Sequence, residues 1–167
     1  MIAAEGSDLI ALPQRFAAGV REVVVAIRCV RFDGQGAMRV SPVAELTNEQ
    51  RDAVARAVVQ FNQGHYFECH ETLEDVWRDL RGPSRDFFQA LIQVSVGFLH
   101  LERGNRVGAV RTFARALDRF KPYPAHYLGF EVATERGRVQ ERLNALRAGV
   151  VMGPDPPPIW TYNPAHE

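Results

Sequence analysis

The segment from about Arg85 to Arg103 constrains the fold more than any other. Phe87, Phe88, Leu91, Ile92, Val94, Val96, Phe98, Leu99 and Leu101 occupy most of the circumference of a helix there. A helix apolar nearly all round has to be covered on every side, so it belongs in the middle of a bundle. One narrow polar stripe, Gln89, Gln93 and His100, interrupts it, with the small residues Ala90 and Gly97 alongside.

The flanking segments supply the cover. Thr47-Asn48-Glu49-Gln50 has the form of a capping box, followed by the stripe Val54, Ala57, Val58 and Phe61. Asn62-Gln63-Gly64 ends that helix, and a second runs from about His65 to Leu80 before Gly82-Pro83. So short a connection makes the 85–103 helix, with Ser84 as its expected cap, an antiparallel neighbour. Asn105 caps a helix over 106–120 with Val110, Phe113, Leu117 and Phe120 inward, and Pro122-Tyr123-Pro124 breaks the chain. A last amphipathic helix spans about Phe130 to Arg147 on Val132, Val139, Leu143 and Leu146. The expectation is an all-α, single-domain helical bundle whose central buried helix is wrapped by four or five others.

Three parts follow: an N-terminal extension (1–46), a helical core (47–148) and an extended Pro-rich tail (149–167). In the extension, Phe16, Val20, Val23, Val24, Ile27 and Val30 favour a helix over about 13–28. A hairpin competes, from Val23–Phe32 through Asp33-Gly34-Gln35-Gly36 to Ala37–Val43, but the rest of the chain offers no sheet for it to join. In the tail, the prolines from Pro154 to Pro158 favour polyproline geometry, and Ile159, Trp160 and Tyr162 are too apolar to hang in water. They should dock on the chain's own body or on a partner chain, which points to a homo-oligomer through the tail.

The candidate site lies on the second helix. Stepping about 100° per residue from His65 gathers Tyr66, Cys69, His70, Leu73, Val76, Trp77 and Leu80 into one arc, with Glu74 and Phe67 at its edge and Glu71 on the rim. Folding about Gly82-Pro83 brings His70 level with Gln93, Glu74 level with Gln89, and Tyr66 or His65 level with His100. The candidate polar site is therefore Tyr66, His70, Glu71, Glu74, Gln89, Gln93 and His100. Such groups form a buried network, His70 to Gln93 and Glu74 to Gln89 or Arg78, unless they serve a ligand. Gly97 and Ala90 would leave room for a small molecule there. Read as a metal centre, the site would use His70, Glu74 and His100 to hold zinc or iron. His70-Glu71-x-x-Glu74 lacks the second imidazole of the zinc-protease motif, and Phe67 stands where a di-iron Glu-x-x-His pattern needs a ligand. No cofactor is required by the sequence, and no activated serine or cysteine nucleophile is evident.

The string Phe-Asn-x-Gly-x-Tyr-Phe-Glu-x-His-Glu-x-Leu-Glu-x-x-Trp (Phe61 to Trp77), with Phe-x-Gln-x-Leu-Ile-Gln-Val (Phe87 to Val94), His100, Gly104-Asn105 and Gly108-Ala109, resembles the signature of domain of unknown function 309. The resemblance covers about Thr47 to Leu146. It implies a small all-helical prokaryotic protein with a central wrapped helix, and no established activity comes with it.

Composition narrows the partners. Twenty basic and 20 acidic residues balance in a chain of 167, which speaks against long polyanions, including nucleic acid. Arg111, Arg115 and Arg119 then read as a solvated face, with phosphate contact as the alternative. Cys29 and Cys69 form no Cys-x-x-Cys pair and read as reduced thiols. The N-terminal stretch lacks a basic region followed by an apolar core, and no apolar run is long enough to span a bilayer. A cytoplasmic protein away from the membrane is the expectation. Its function reads as a non-enzymatic binding or structural module for an unknown small molecule or protein, with a metal-dependent hydrolase at the same residues as the alternative.

Overall fold

The computed structural model describes residues 30–32, 38–40, 46–150 and 159–164. The expected helix over 13–28 and the proline run 154–158 lie outside them. Two short strands, β1 (Val30–Phe32) and β2 (Met38–Val40), pair antiparallel, with Val30 opposite Val40 and Phe32 opposite Met38. The hairpin reading describes this stretch, and the two strands pair with each other alone, with no further sheet among the described residues to join. Each strand pairs the inner-edge backbone groups of the other.

Five helices then carry the core, and the described body is an all-α single domain. The capping box at Thr47 forms: its hydroxyl accepts the Gln50 N–H at 3.2 Å, and the Gln50 side chain accepts the Thr47 N–H at 3.0 Å. α1 (Asn48–Asn62) buries Val54, Ala57, Val58 and Phe61. Gly64, at φ +83°, reverses the chain into α2 (Tyr66–Asp79), which buries Cys69, Leu73 and Val76.

α3 spans Gly82–Glu102, starting before the expected Arg85. Pro83 sits in its first turn, where a missing N–H removes no intrahelical bond. Ser84 is therefore not the cap; it is buried inside the helix with its Oγ 3.4 Å from the Tyr127 hydroxyl. α4 (Arg106–Phe120) is capped by Asn105, whose side chain accepts the Gly108 N–H at 2.9 Å. α5 (Val132–Arg147) buries Val132, Val139 and Leu143 as expected, and also Glu135.

Successive helices pack as neighbours, with α2 and α4 on either side of α3, α1 against α2 and α5 against α4. Two aromatic clusters hold the ends of α3. Near its start, Phe87 meets Phe88, Phe120, Tyr123, Tyr127 and Phe130 at centroid distances of 4.9–5.9 Å. Near its end, Phe98 meets Phe61, Tyr66 and Phe113 at 5.0–5.5 Å. The Tyr123 hydroxyl ties the loop after α4 to the Pro83 carbonyl at 2.6 Å.

The tail docks on the body of its own chain, as one branch of the sequence reading expected. Trp160 is 2% exposed and stacks on Phe61 at 3.8 Å with 9° between the rings. Its backbone N–H and carbonyl both pair with the Asn62 side-chain amide, at 2.7 and 3.1 Å.

Gly97 leaves no room for a ligand, contrary to the sequence reading. A Cβ there would lie 2.4 Å from Phe113 Cε1, so the space beside α3 is filled by a ring of α4. Gly97→Ala is expected to lower the unfolding free energy by about 1–3 kcal/mol. Phe113→Leu in the same chain should recover part of that loss in a double-mutant cycle. Strictly additive effects would contradict the contact.

Candidate functional site

Contacts across the α2–α3 hairpin fix its register. Tyr66 stacks on Phe98 at 5.3 Å, Cys69 Sγ lies 3.2 Å from Ser95 Oγ, and the Arg85 guanidinium covers the Trp77 ring at 3.6 Å. Interpolating between them puts His70 near the level of Gln93 and Glu74 near that of Gln89, while Tyr66 lies against Phe98 where the sequence reading set it or His65 level with His100. The faces differ from that reading. Tyr66, Cys69 and Leu73 turn inward towards Ser95 and Phe98, and burial pushes the Cys69 thiol up to about 12. His70, Trp77, Gln89, Gln93, Val96 and His100 are half-buried along the outer side of the seam.

The expected polar network does not form there. Glu74 and Glu71 are exposed, and Arg78 pairs with Asp75 at 3.1 Å instead of Glu74. Carboxylates at this edge keep their water because no partner compensates for its loss. The His70 ring is turned back on its own helix, Nδ1 donating to the Phe67 carbonyl. His100 Nδ1 lies 3.4 Å from the Asn105 side-chain nitrogen, two turns of α3 beyond Gln93. Thus His70, Glu74 and His100 do not converge, and among the described residues no group of three or more His, Cys, Asp or Glu is placed to hold a metal ion. Tyr66 is half-buried, and burial followed by the Glu102 charge raises its phenol, against Arg142.

Two polar atoms on the seam are buried without a partner, the Trp77 indole Nε1 and the Gln93 Oε1. Arg85, which sequence reasoning did not single out, organises this end. Besides covering Trp77 it donates to the Trp77 carbonyl at 3.0 Å and the Leu80 carbonyl at 3.3 Å, capping the end of α2. Phe67, 43% exposed, extends the face at the other end.

A second polar centre also escaped the sequence reading. Glu135 is 3% exposed and pairs with Arg138 at 3.0 Å, while Arg138 also donates to the Ile159 carbonyl. The second carboxylate oxygen and the Trp160 indole N–H face each other without closing a well-aligned hydrogen bond. Burial pushes this carboxyl up to about 7, against the opposing pulls of Arg138 and the indole.

A raised carboxyl protonates more readily in the folded chain than in the unfolded one, so folding is favoured on the acid side. This contribution should be full below about 4.5 and fade as pH rises through about 7. Relative to Glu135→Gln, which stays neutral, the native chain should lose on the order of 3 kcal/mol across that window in urea unfolding. Parallel pH profiles for the two proteins would contradict a buried, raised carboxyl.

Comparison with known proteins bears on the helical core. The family model described as "Domain of unknown function (DUF309)" matches residues 54–112. The "Uncharacterized protein YpuF" of Bacillus subtilis (strain 168) is 29% identical over 82 residues, 48% of this chain and 46% of that protein. The similarity thus spans less than half the length of the relative, and neither description carries an activity. Over α1 from Val54, through α2 and α3, to Thr112 of α4, the resemblance is to domain of unknown function 309, as the Phe61–Trp77 signature implied.

Proposed function

We propose that the chain is a non-enzymatic binding or structural module whose working face is the half-exposed seam between α2 and α3. The observation that carries this is the pair of buried, unpartnered groups on that face, a donor on Trp77 and an acceptor on Gln93. Each costs the free protein about 1–3 kcal/mol if left unmade. The chain itself covers both atoms, so a partner recovers that cost only where docking parts the seam and offers the complementary acceptor and donor. Arg85, which covers Trp77, stands eight residues before Gln93, an axial rise of about 12 Å between those two backbone positions. That span suits a polypeptide segment better than a compact metabolite, and exposed Phe67 adds apolar area in line with it. The buried free thiol of Cys69 supports a reducing, cytoplasmic setting. No helix among the described residues is long and apolar enough to cross a membrane.

The alternative, a metal-dependent hydrolase, needs His70, Glu74 and His100 around one zinc or iron. Their separation supports it less well than the binding face.

Gln93→Leu is the discriminating change, because it removes the orphaned oxygen and keeps the volume. On the binding reading it leaves the melting temperature unchanged or raises it, while His70→Ala is close to neutral. A loss above about 1 kcal/mol in Gln93→Leu would mean that the amide serves the fold itself. Stoichiometric zinc or iron in the purified protein, lost in His70→Ala, would favour the hydrolase.

A further inference from the structure

The contacts of residues 159–164 are those of a bound peptide. Trp160 and Tyr162 point into the body while Ile159, Thr161 and Asn163 are exposed, the two-residue alternation of an extended strand. Asn62 reads the backbone of Trp160 from both sides, as a neighbouring strand would. The Gly129 carbonyl accepts the Asn163 N–H at 2.8 Å, and Phe130 forms an antiparallel bridge with Tyr162. The receiving edge is a tight turn, Tyr127 to Phe130, whose central residues Leu128 and Gly129 have φ of +46° and +78°. Gly129 has to be glycine for the approach, since a Cβ would lie 2.7 Å from the Asn163 carbonyl oxygen.

Two aromatic side chains of the tail are seated in the body. The indole of Trp160 stacks on Phe61, meets the edge of Phe130 at 6.1 Å, and turns its N–H towards Glu135. Tyr162 packs on Phe130 at 5.0 Å. Thr161 between them is exposed, so the slot reads Trp, ignores the next residue and reads Tyr.

The tether is longer than the path. Arg106 holds the Leu146 and Val150 carbonyls at 2.9 and 3.4 Å, and Ile159 lies at Arg138, so the return along α5 covers about eight helical residues, roughly 12 Å. The nine steps from Val150 to Ile159 can reach about 30 Å. Chain length therefore permits cis docking with slack to spare.

We propose that α1, α5 and the Tyr127–Phe130 turn form a peptide-recognition slot for an extended Trp-x-Tyr segment, with residues 159–164 as its resident, exchangeable occupant. This is recognition by strand addition combined with an aromatic pocket. It stands apart from the α2–α3 seam and does not depend on that reading. The tail of a second copy carries the same pattern, so the slot also supplies a route to the homo-oligomer.

The test uses full-length Trp160→Ala, checked for helicity by circular dichroism, and a labelled peptide of residues 158–164. Anisotropy should show saturable one-to-one uptake. It should vanish when alanine replaces the tryptophan of the peptide, and weaken at least about tenfold when Asn62→Ala is added to the protein. No uptake by the folded variant at about 1 mM, the scale of a short tether's effective concentration, overturns the proposal. If Trp160→Ala does not fold, Trp160→Phe replaces it, and the peptide must then displace a weakened strap. Failure of that chain to fold would also overturn the proposal, because the ring would be core and not occupant.

Discussion

The structure depends on covering a helix that is apolar nearly all round. α3 buries Phe87, Phe88, Leu91, Ile92, Val94, Phe98 and Leu99, which point in every direction, so elements must approach it from every side. Phe87 and Phe98 lie three turns apart and each draws in a set of rings: the Tyr123–Phe130 loop and α4 at one end, α1, α2 and α4 at the other. The other helices are arranged by what these two clusters need. Where α4 must come closest, α3 has no side chain at all, and Phe113 sits on Gly97.

The same constraint selects the candidate site. α3 has one polar stripe, and it emerges where α2 leaves a seam. Had His70, Glu74 and the glutamines bonded one another, they would have formed an internal network that fixes register. Register is set instead by Tyr66 on Phe98 and Cys69 on Ser95, inside the hairpin. The outer polar groups are released from that duty. Trp77 and Gln93 keep unpaired buried atoms, which a fold optimised only for stability would tend to remove.

Much of the helical core was legible because its signals are local. The Thr47 capping box, Asn105 and the long apolar helix each specify their own neighbourhood. The start of α3 was displaced because Pro83 followed by Ser84 fits two N-termini, and the first-turn position for proline prevailed. Wheel geometry put His70 in the apolar arc and Glu74 at its edge, yet could not tell an inner edge from an outer one. Only packing decides that. Glu135 was illegible for the opposite reason: it occupies an apolar spacing in α5, between Val132 and Val139, and the partners that accompany its burial include Trp160, far along the chain. Asn62 pairs with a residue 98 positions away, beyond any local pattern.

Native-state hydrogen exchange tests the central place of α3 most directly. If the fold is organised around this helix, the amides of Phe87–Leu99 should be the slowest in the protein. They should exchange only through global unfolding, with the same denaturant dependence as the whole-chain transition. Exchange of those amides through a smaller, earlier opening, while α1 or α5 stays protected, would contradict the account.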